Sequence, residues 1–517
     1  MDQESDEVSG VQPPIQEDKS WTEVDTYTAN CMEDVLDSDS PVNREETQPP
    51  ADDCHESGPD FSQLPEVVWV EIMSYLPLHQ QYLVSQTCQV LYEIFNHPSL
   101  WHTMKIHLFG CTDNFSRAFR SKICIPNKYI KLINKFGKFF KQLTLSVTEY
   151  LNKFPEEWIS IMQELSRQCR LESLTLEIGR LTSYYHIDGY QPSENDIGTL
   201  VSFIQNAVRL KYFHIKSWPM YPSSLSNPDL NIFEVILKNP KLKDLETLSL
   251  FWCKATEWSE RMPILPSPEA TLPIIHNFQH LKKLSLRSPM LDKDIILELS
   301  KPGRCKLKLL QVFVHFHPEN GNFKIPEIES SVWKQFVLAN PGVEMECTVL
   351  VRTPHLELAS MLKTDCPLTA ITFMKFSRCD SQIVASLSEM YCRSLKKFAC
   401  YCDPSCKENE VVSLAMRSPN LNQFVYYGPL SCESVEKLAQ LHGTGWKEFV
   451  IPASCITVQD VPSYDDDDDR VIAPGEDGEY YLVGIARFHQ SVHPDSQRKQ
   501  EMQDKVSAAL GYSWKPV

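Results

Sequence analysis

Glycine is scarce in this chain, with 17 residues in 517 against roughly 7% in typical domains. That argues against an enzyme built around glycine-rich phosphate loops. No stretch approaches the ~18 consecutive apolar residues a membrane-spanning helix needs, so no membrane is expected as a partner. The start, Met1-Asp2-Gln3-Glu4-Ser5-Asp6-Glu7, lacks both the positive charge and the apolar run of a secretory signal. HExxH, GxSxG and P-loop patterns are missing too. Isolated histidines such as His315 and His317 flank no carboxylate pair or nucleophile. A non-catalytic protein without cofactor is expected.

The 17 cysteines are an odd number. Without an export signal they read as reduced thiols in the cytoplasm or nucleus, several of them small core hydrophobes. Cys400-Tyr401-Cys402 followed by Cys406 lacks the paired spacing of structural zinc ligands, so no metal is expected. The net charge of −18 belongs to the ends: residues 1–60 hold 18 acidic side chains against Lys19 and Arg44, and residues 456–517 hold 12 acidic and 6 basic ones. The stretch between them is close to neutral.

Low hydrophobicity and high charge make residues 1–60 a disordered acidic tail, with Asp37-Ser38-Asp39-Ser40-Pro41 suited to accept phosphate or simply to solvate. At Phe61 the texture changes. Leu64-Pro65-Glu66 opens a run in which Val68, Ile72 and Leu76 recur every four residues until Pro77, the signature of an amphipathic helix with a stop. Leu83, Cys88, Leu91 and Phe95 continue the helical spacing to Pro98-Ser99-Leu100-Trp101. Three short helices cannot build a large core alone, so this stretch is expected to complete itself on another surface.

The ordered set Leu64-Pro65-Glu66, Ile72, Tyr75-Leu76-Pro77, Leu83, Cys88 and Pro98-Ser99-Leu100-Trp101 resembles the F-box over residues 61–105, with Leu91 standing where that family usually has an aromatic. The resemblance implies docking on a Skp-type adaptor, which links such proteins to a cullin scaffold and a RING subunit. It implies that Leu64, Pro65, Val68, Ile72, Leu76, Leu83, Cys88, Leu91 and Trp101 form or brace the adaptor-facing surface.

From residue 139 onward one pattern returns: apolar, two of any kind, apolar, one of any kind, apolar. It occurs at Phe140/Leu143/Leu145, Leu171/Leu174/Leu176, Leu210/Phe213/Ile215, Leu245/Leu248/Leu250, Leu281/Leu284/Leu286 and Leu307/Leu310/Val312. After a weak copy near Val343, where Glu346 takes the second apolar place, it returns at Leu368/Ile371/Phe373, Leu395/Phe398/Cys400, Leu421/Phe424/Tyr426 and Trp446/Phe449/Ile451. The late copies settle at 25–27 residues apart, the period of leucine-rich repeats. Helix candidates fall between them at Glu156–Gln168, Asp196–Ala207, Asp292–Ser300, Ser381–Tyr391, Glu408–Arg417 and Glu433–Leu441. The Pro-rich Trp258–Pro273 segment reads as an inserted loop.

Strand alternation turns the residue after the third apolar position outward. Those residues include Phe251, Arg287, Phe313, Met374, Tyr401 and Tyr427, types enriched at the centre of protein interfaces, so they are the expected substrate-binding face. Alternatively the register slips, or a loop or tail covers them. Residues 117–141 carry eight Lys/Arg and no acid, either a solvated helix face or a site for an acidic ligand; no recognised fold accompanies them that would suggest nucleic acid. The last sixty residues, with Asp465–Asp469 and the strand-like run Glu479–Phe488, could cap the final repeat or lie across the repeats.

The expected fold class is α/β: a disordered acidic tail (1–60), a three-helix F-box module (61–105), a basic linker helix (106–138), an irregular leucine-rich-repeat solenoid (139–455) and an acidic C-terminal tail or cap (456–517). The expected function is substrate recognition for an SCF-type ubiquitin ligase. A repeat scaffold or inhibitor without ligase activity is the alternative, and an enzyme using cysteine or metal chemistry is a weaker third.

Overall fold

The computed structural model describes residues 64–76, 78–109, 126–148, 155–178, 194–217, 239–250, 267–315, 327–351, 354–457 (apart from 376 and 403) and 496–517, with residue 236 and the pairs 473–474 and 480–481. The tail 1–60, Phe251 and the acidic run Asp465–Asp469 lie outside these residues. The chain forms two compact units, residues 1–171 and 172–517.

The first unit opens with α1 (Glu66–Ser74), α2 (Leu78–Ser85) and α3 (Gln89–Phe95). The Pro65 carbonyl starts α1 by accepting from Val68 N–H at 2.9 Å, and Pro65 itself, with no N–H to lose, suits this boundary. A strand follows, β1 (Thr103–Phe109), then α4 (Pro126–Phe136), β2 (Gln142–Thr148) and α5 (Pro155–Gln168). β1 and β2 pair in parallel, Thr103 against Gln142 through Phe109 against Thr148. The stretch 106–138, expected to be a linker helix, therefore contains most of a strand as well as α4. Trp101/Met104/Ile106 repeats the six-residue pattern, and these side chains are buried: one more copy lies upstream of residue 139.

In the second unit, β3 (Ser173–Ile178), β4 (Tyr212–Ser217), β5 (Thr247–Leu250), β6 (Lys283–Arg287) and β7 (Leu309–His315) are followed by β8 (Glu344–Leu350), β9 (Leu368–Phe373), β10 (Lys397–Cys400) and β11 (Gln423–Tyr426). After the short β12 (Leu430–Ser431), β13 (Glu448–Val450) joins β11, and every neighbouring pair in the row β3 to β11 and β13 is parallel and sequential. Parallel neighbours need a crossover between them. Here the crossovers carry α6 (Glu194–Asn206), α7 (Pro268–Asn277), α8 (Lys293–Leu299), α9 (Ser330–Ala339), α10 (Pro354–Met361), α11 (Ser381–Met390), α12 (Glu408–Arg417) and α13 (Cys432–His442).

The second and third apolar residues of the pattern, Leu174/Leu176, Phe213/Ile215, Leu248/Leu250, Leu284/Leu286, Leu310/Val312, Ile371/Phe373, Phe398/Cys400 and Phe424/Tyr426, are all at most 1% exposed. They form the core between sheet and helices. In the late repeats this core is an aromatic ladder, Phe373–Phe398–Phe424–Phe449, with ring centroids 6.0–6.2 Å apart. The weak copy near Val343 is a one-residue shift: the inward residues of β8 are Met345, Cys347 and Val349, which leaves Glu346 on the other face.

The Trp258–Pro273 segment is not simply a loop, since its end lies in α7. Pro268 occupies the first turn, where its missing N–H costs nothing, and the Ser267 hydroxyl caps the helix by accepting from Ala270 N–H at 3.3 Å.

After β13 come β14 (Ile456–Thr457), the two-residue strands β15 (Ala473–Pro474) and β16 (Tyr480–Tyr481), and α14 (Ser496–Leu510). Residues 496–517 cap the last repeat. Trp514 Nε1 donates to Phe449 O at 3.0 Å, Val517 N–H donates to Ile451 O at 3.2 Å, and Ala453 N–H donates to Val517 O at 3.0 Å. Of the strand-like run 479–488, the described residues Tyr480–Tyr481 pair antiparallel with Ala473–Pro474. Among the described residues, no helix is long and apolar enough to cross a membrane.

Candidate protein-docking surfaces

The F-box-like helices carry apolar side chains on the outside. Val67 is 72% exposed, Ile72 40%, Tyr75 79% and Leu83 51%, whereas a helix of this composition within a finished core would hide them. Val68 and Val90 are exposed as well. Of the residues expected to face an adaptor, Pro65, Val68, Ile72, Leu83 and Cys88 are exposed, and Leu64, Leu76 and Leu91 are half-buried. Burying a Val, Leu or Ile fully contributes on the order of 1.5–3 kcal/mol, so four or five of these side chains suffice to anchor a partner. Val67, Tyr75 and Val90 were not expected. Their signal is the apolar residue off the i, i+4 stripe, which a helix with one buried face has no need of.

Trp101 is a correction. It is 2% exposed, stacked on Phe136 at 3.7 Å with the planes 6° apart and edge-on to Phe95 at 5.2 Å, and its Nε1 donates to Phe95 O at 2.9 Å. It braces the helices from within and offers nothing to a partner. Met73 does the same from α1, with no exposure. α4 supplies Phe136 to this core, and its Leu132 and Ile133 are buried as well. Lys131 of α4 is exposed and Lys135 half-buried; just past the helix Lys138 is exposed too, its ammonium 4.9 Å from the Phe139 ring.

The outward face of the repeat sheet differs from expectation in its middle. Phe313 is fully buried and Arg287 6% exposed. They lie opposite each other in register, the guanidinium carbon 4.9 Å from the ring centroid, a cation–π contact. Beside them Ser285 Oγ donates to Gln311 Oε1 at 2.7 Å and Gln311 Nε2 donates to Glu346 Oε2 at 2.5 Å. Met374 is 2% exposed because β9 ends at Phe373; in the turn that follows, alternation no longer sets direction. None of these three presents a free surface.

Tyr401 and Tyr427 do. Each follows the last residue of its strand; Tyr427 is 37% exposed, Tyr401 is half-buried, and their ring centroids are 5.3 Å apart. Burial, with the nearby Glu448 charge and Tyr427, raises the Tyr401 phenol above its ordinary range, so it stays a neutral donor. Lys397 reaches across β11 to Glu448 at 3.2 Å on the outward side of the same strands. The pair is thus an aromatic patch beside a fixed ion pair, suited to burying an apolar or aromatic side chain of another protein.

Residues 61–107 match the family model described as F-box-like. The curated F-box/LRR-repeat protein 21 of Bos taurus is 21% identical over 406 residues, covering 78% of this chain and 85% of that protein. A solved crystal structure of a TLR13–ssRNA13 complex shares 11% identity over 59% of this chain and 44% of its own, at a TM-score of 0.27, a likeness that carries no argument. The chain is therefore similar to F-box and leucine-rich-repeat proteins. In this chain the F-box-like segment at 61–107 stands ahead of a parallel repeat sheet.

Proposed function

We propose that this chain is the substrate-recognition subunit of an SCF-type ubiquitin ligase. The observation that carries the reading is the exposed apolar set Val67, Val68, Ile72, Tyr75 and Leu83 on a segment that matches the F-box-like family. A Skp-type adaptor would cover that set and, through it, a cullin scaffold and RING subunit would be joined. The repeats, at Tyr401 and Tyr427, would hold the protein substrate. The chain performs no bond chemistry itself. It raises the effective concentration of a substrate lysine beside a ubiquitin thioester held by another subunit. The described cysteines are thiols, which agrees with work in the cytoplasm or nucleus.

Affinity capture of the full chain tests this. Wild type should recover the adaptor and cullin, and Ile72→Asp with Leu83→Asp should abolish recovery without lowering the melting temperature, because both side chains are already exposed. Tyr401→Ala with Tyr427→Ala should keep the adaptor and lose substrate. Wild type that recovers neither adaptor nor cullin overturns the ligase reading in favour of a repeat scaffold.

A further inference from the structure

The loops after β9 and β10 bring four cysteines together that are spread over 28 residues of sequence. Cys379 sits just before Asp380, the N-cap of α11, and is fully buried. Cys400 ends β10 and Cys402 follows it, both at most 1% exposed; Cys406, just before α12, is half-buried. The sulfurs of Cys400 and Cys402 are 3.4 Å apart. Cys379 O accepts from Ser405 N–H at 2.8 Å, which sets Cys379 beside Cys406, and the thiols of Cys400 and Cys406 are the neighbours that act on its own; Cys406 Sγ lies 3.6 Å from the Tyr426 hydroxyl. The thiols therefore form a line in the order Cys406, Cys379, Cys400 and Cys402, with Cys406 at its partly exposed end and the other three buried.

Among the described residues, no group of three or more His, Cys, Asp or Glu is arranged to hold a metal ion, so the line is a set of thiols and not a ligand cage. Closing the Cys400–Cys402 gap to a bond of ~2.05 Å takes a shift of little more than 1 Å. The residue between them is Tyr401, whose N–H donates to Phe373 O at 2.9 Å and whose ring faces Tyr427. A ring closed around Tyr401 must turn that residue's backbone.

We propose that these four cysteines form a thiol relay, by which a small-molecule disulfide such as oxidised glutathione converts Cys400 and Cys402 into a disulfide that repositions Tyr401. In the first step the Cys406 thiolate attacks one sulfur of the oxidant, forming a mixed disulfide and releasing one reduced thiol. Cys379 then displaces the second reduced thiol from Cys406. Cys400 attacks Cys379 and frees Cys406, and Cys402 attacks Cys400 and frees Cys379. Two protein thiols are oxidised and one disulfide oxidant is reduced to two thiols. Each attacker gives up its proton and each leaving sulfur takes one. Hydrogen bonds among the thiols, together with burial, hold Cys379 and Cys402 well above the ordinary thiol range, so the exchange is slow near neutrality and quickens as pH rises. The disulfide stands independently of the ligase reading; only its effect on substrate capture rests on it.

The test incubates the full chain with oxidised glutathione, alkylates the remaining thiols and maps tryptic peptides. The peptide from Phe398 to Lys407 should lose two hydrogens internally and carry one alkyl group, on Cys406. Cys402→Ser should stop the relay one step short, giving a cross-link between that peptide and the one bearing Cys379. Cys406→Ser should slow oxidation about tenfold or more, since the entry thiol is gone. Glutathione held stably on Cys406, four thiols all open to alkylation, or stoichiometric zinc in the purified chain would each overturn the proposal. Adaptor capture measured on the same oxidised sample separates the two readings: its loss with the disulfide formed counts against the ligase and not against the relay.

Discussion

His214, on β4, shows how a single side chain records its surroundings. Burial, then the charges of Lys283 and Lys216, bring its pKa down to about 4, while Lys216 is itself ion-paired with Glu177. In the unfolded chain histidine takes up its proton near 6.5. Between pH 6.5 and 4 the unfolded state binds more protons, so stability falls as pH falls through that window, and above it the group makes no pH-dependent contribution. Urea denaturation of wild type and His214→Gln at pH 7 and pH 5 should show the stability gap between them narrowing or reversing at pH 5. A gap that does not change with pH would mean the imidazole is open to protons in the fold. Other residues mark where local pattern reading fails. Trp101 fits the F-box spacing, yet spacing does not say whether an aromatic faces a partner or Phe136. Phe313 obeys strand alternation, and the alternation points it away from the core correctly; its burial beside Arg287, which lies on the neighbouring strand of the preceding repeat, depends on how the repeats stack, which a window over one strand does not contain.

Between elements, the repeats are fastened by buried amides as much as by apolar contact. Asn340, 1% exposed, accepts from Leu307 N–H at 2.9 Å and donates to Leu299 O at 3.2 Å and Phe336 O at 3.1 Å, so one side chain ties α8, α9 and the entry to β7. Asn239 repeats the device, donating to Ile204 O at 2.9 Å and accepting from Lys241 N–H. Replacing Asn340 by Ala takes the side-chain partner from Leu307 N–H and Leu299 O, while Phe336 O keeps the backbone N–H of residue 340, and should cost about 2–3 kcal/mol in chemical denaturation; Asn340→Asp, which keeps only the acceptor, should not restore the loss. The helix candidates read from sequence coincide with α5, α6, α8, α11, α12 and α13 to within two residues or so. α7, α9 and α10 were not expected, because prolines in and beside α7 and α10 and the short apolar face of α9 mask the 3.6-residue period.

For the molecule as a whole the question is how the parallel row ends. Its last strand would present bare backbone groups and the Phe449 and Ile451 side chains, a hazard that repeat proteins meet with a capping segment. Here α14 and the residues after it serve, with Met502, Val506, Leu510 and Trp514 buried. Gly511, at φ 74°, turns the chain after the helix, and a side chain there would meet Thr444 Cγ2 at 2.9 Å. A chain ending at residue 495 should elute from size exclusion as aggregate, and Trp514→Ala should lower the melting temperature while the truncation abolishes a cooperative melt. Sharp monomeric elution of the truncated chain would show that the last repeat needs no cover.

Residue type at short spacing was enough for the period of the strands, for their inward residues except on β8, and for an apolar helical segment without a core large enough to hide it. Tertiary structure decided which apolar residues of that segment remain outside, which outward aromatics are covered, and that Cys379 stands against Cys400 and Cys406. Those depend on contacts between residues tens of positions apart, fixed only when neighbouring repeats stack.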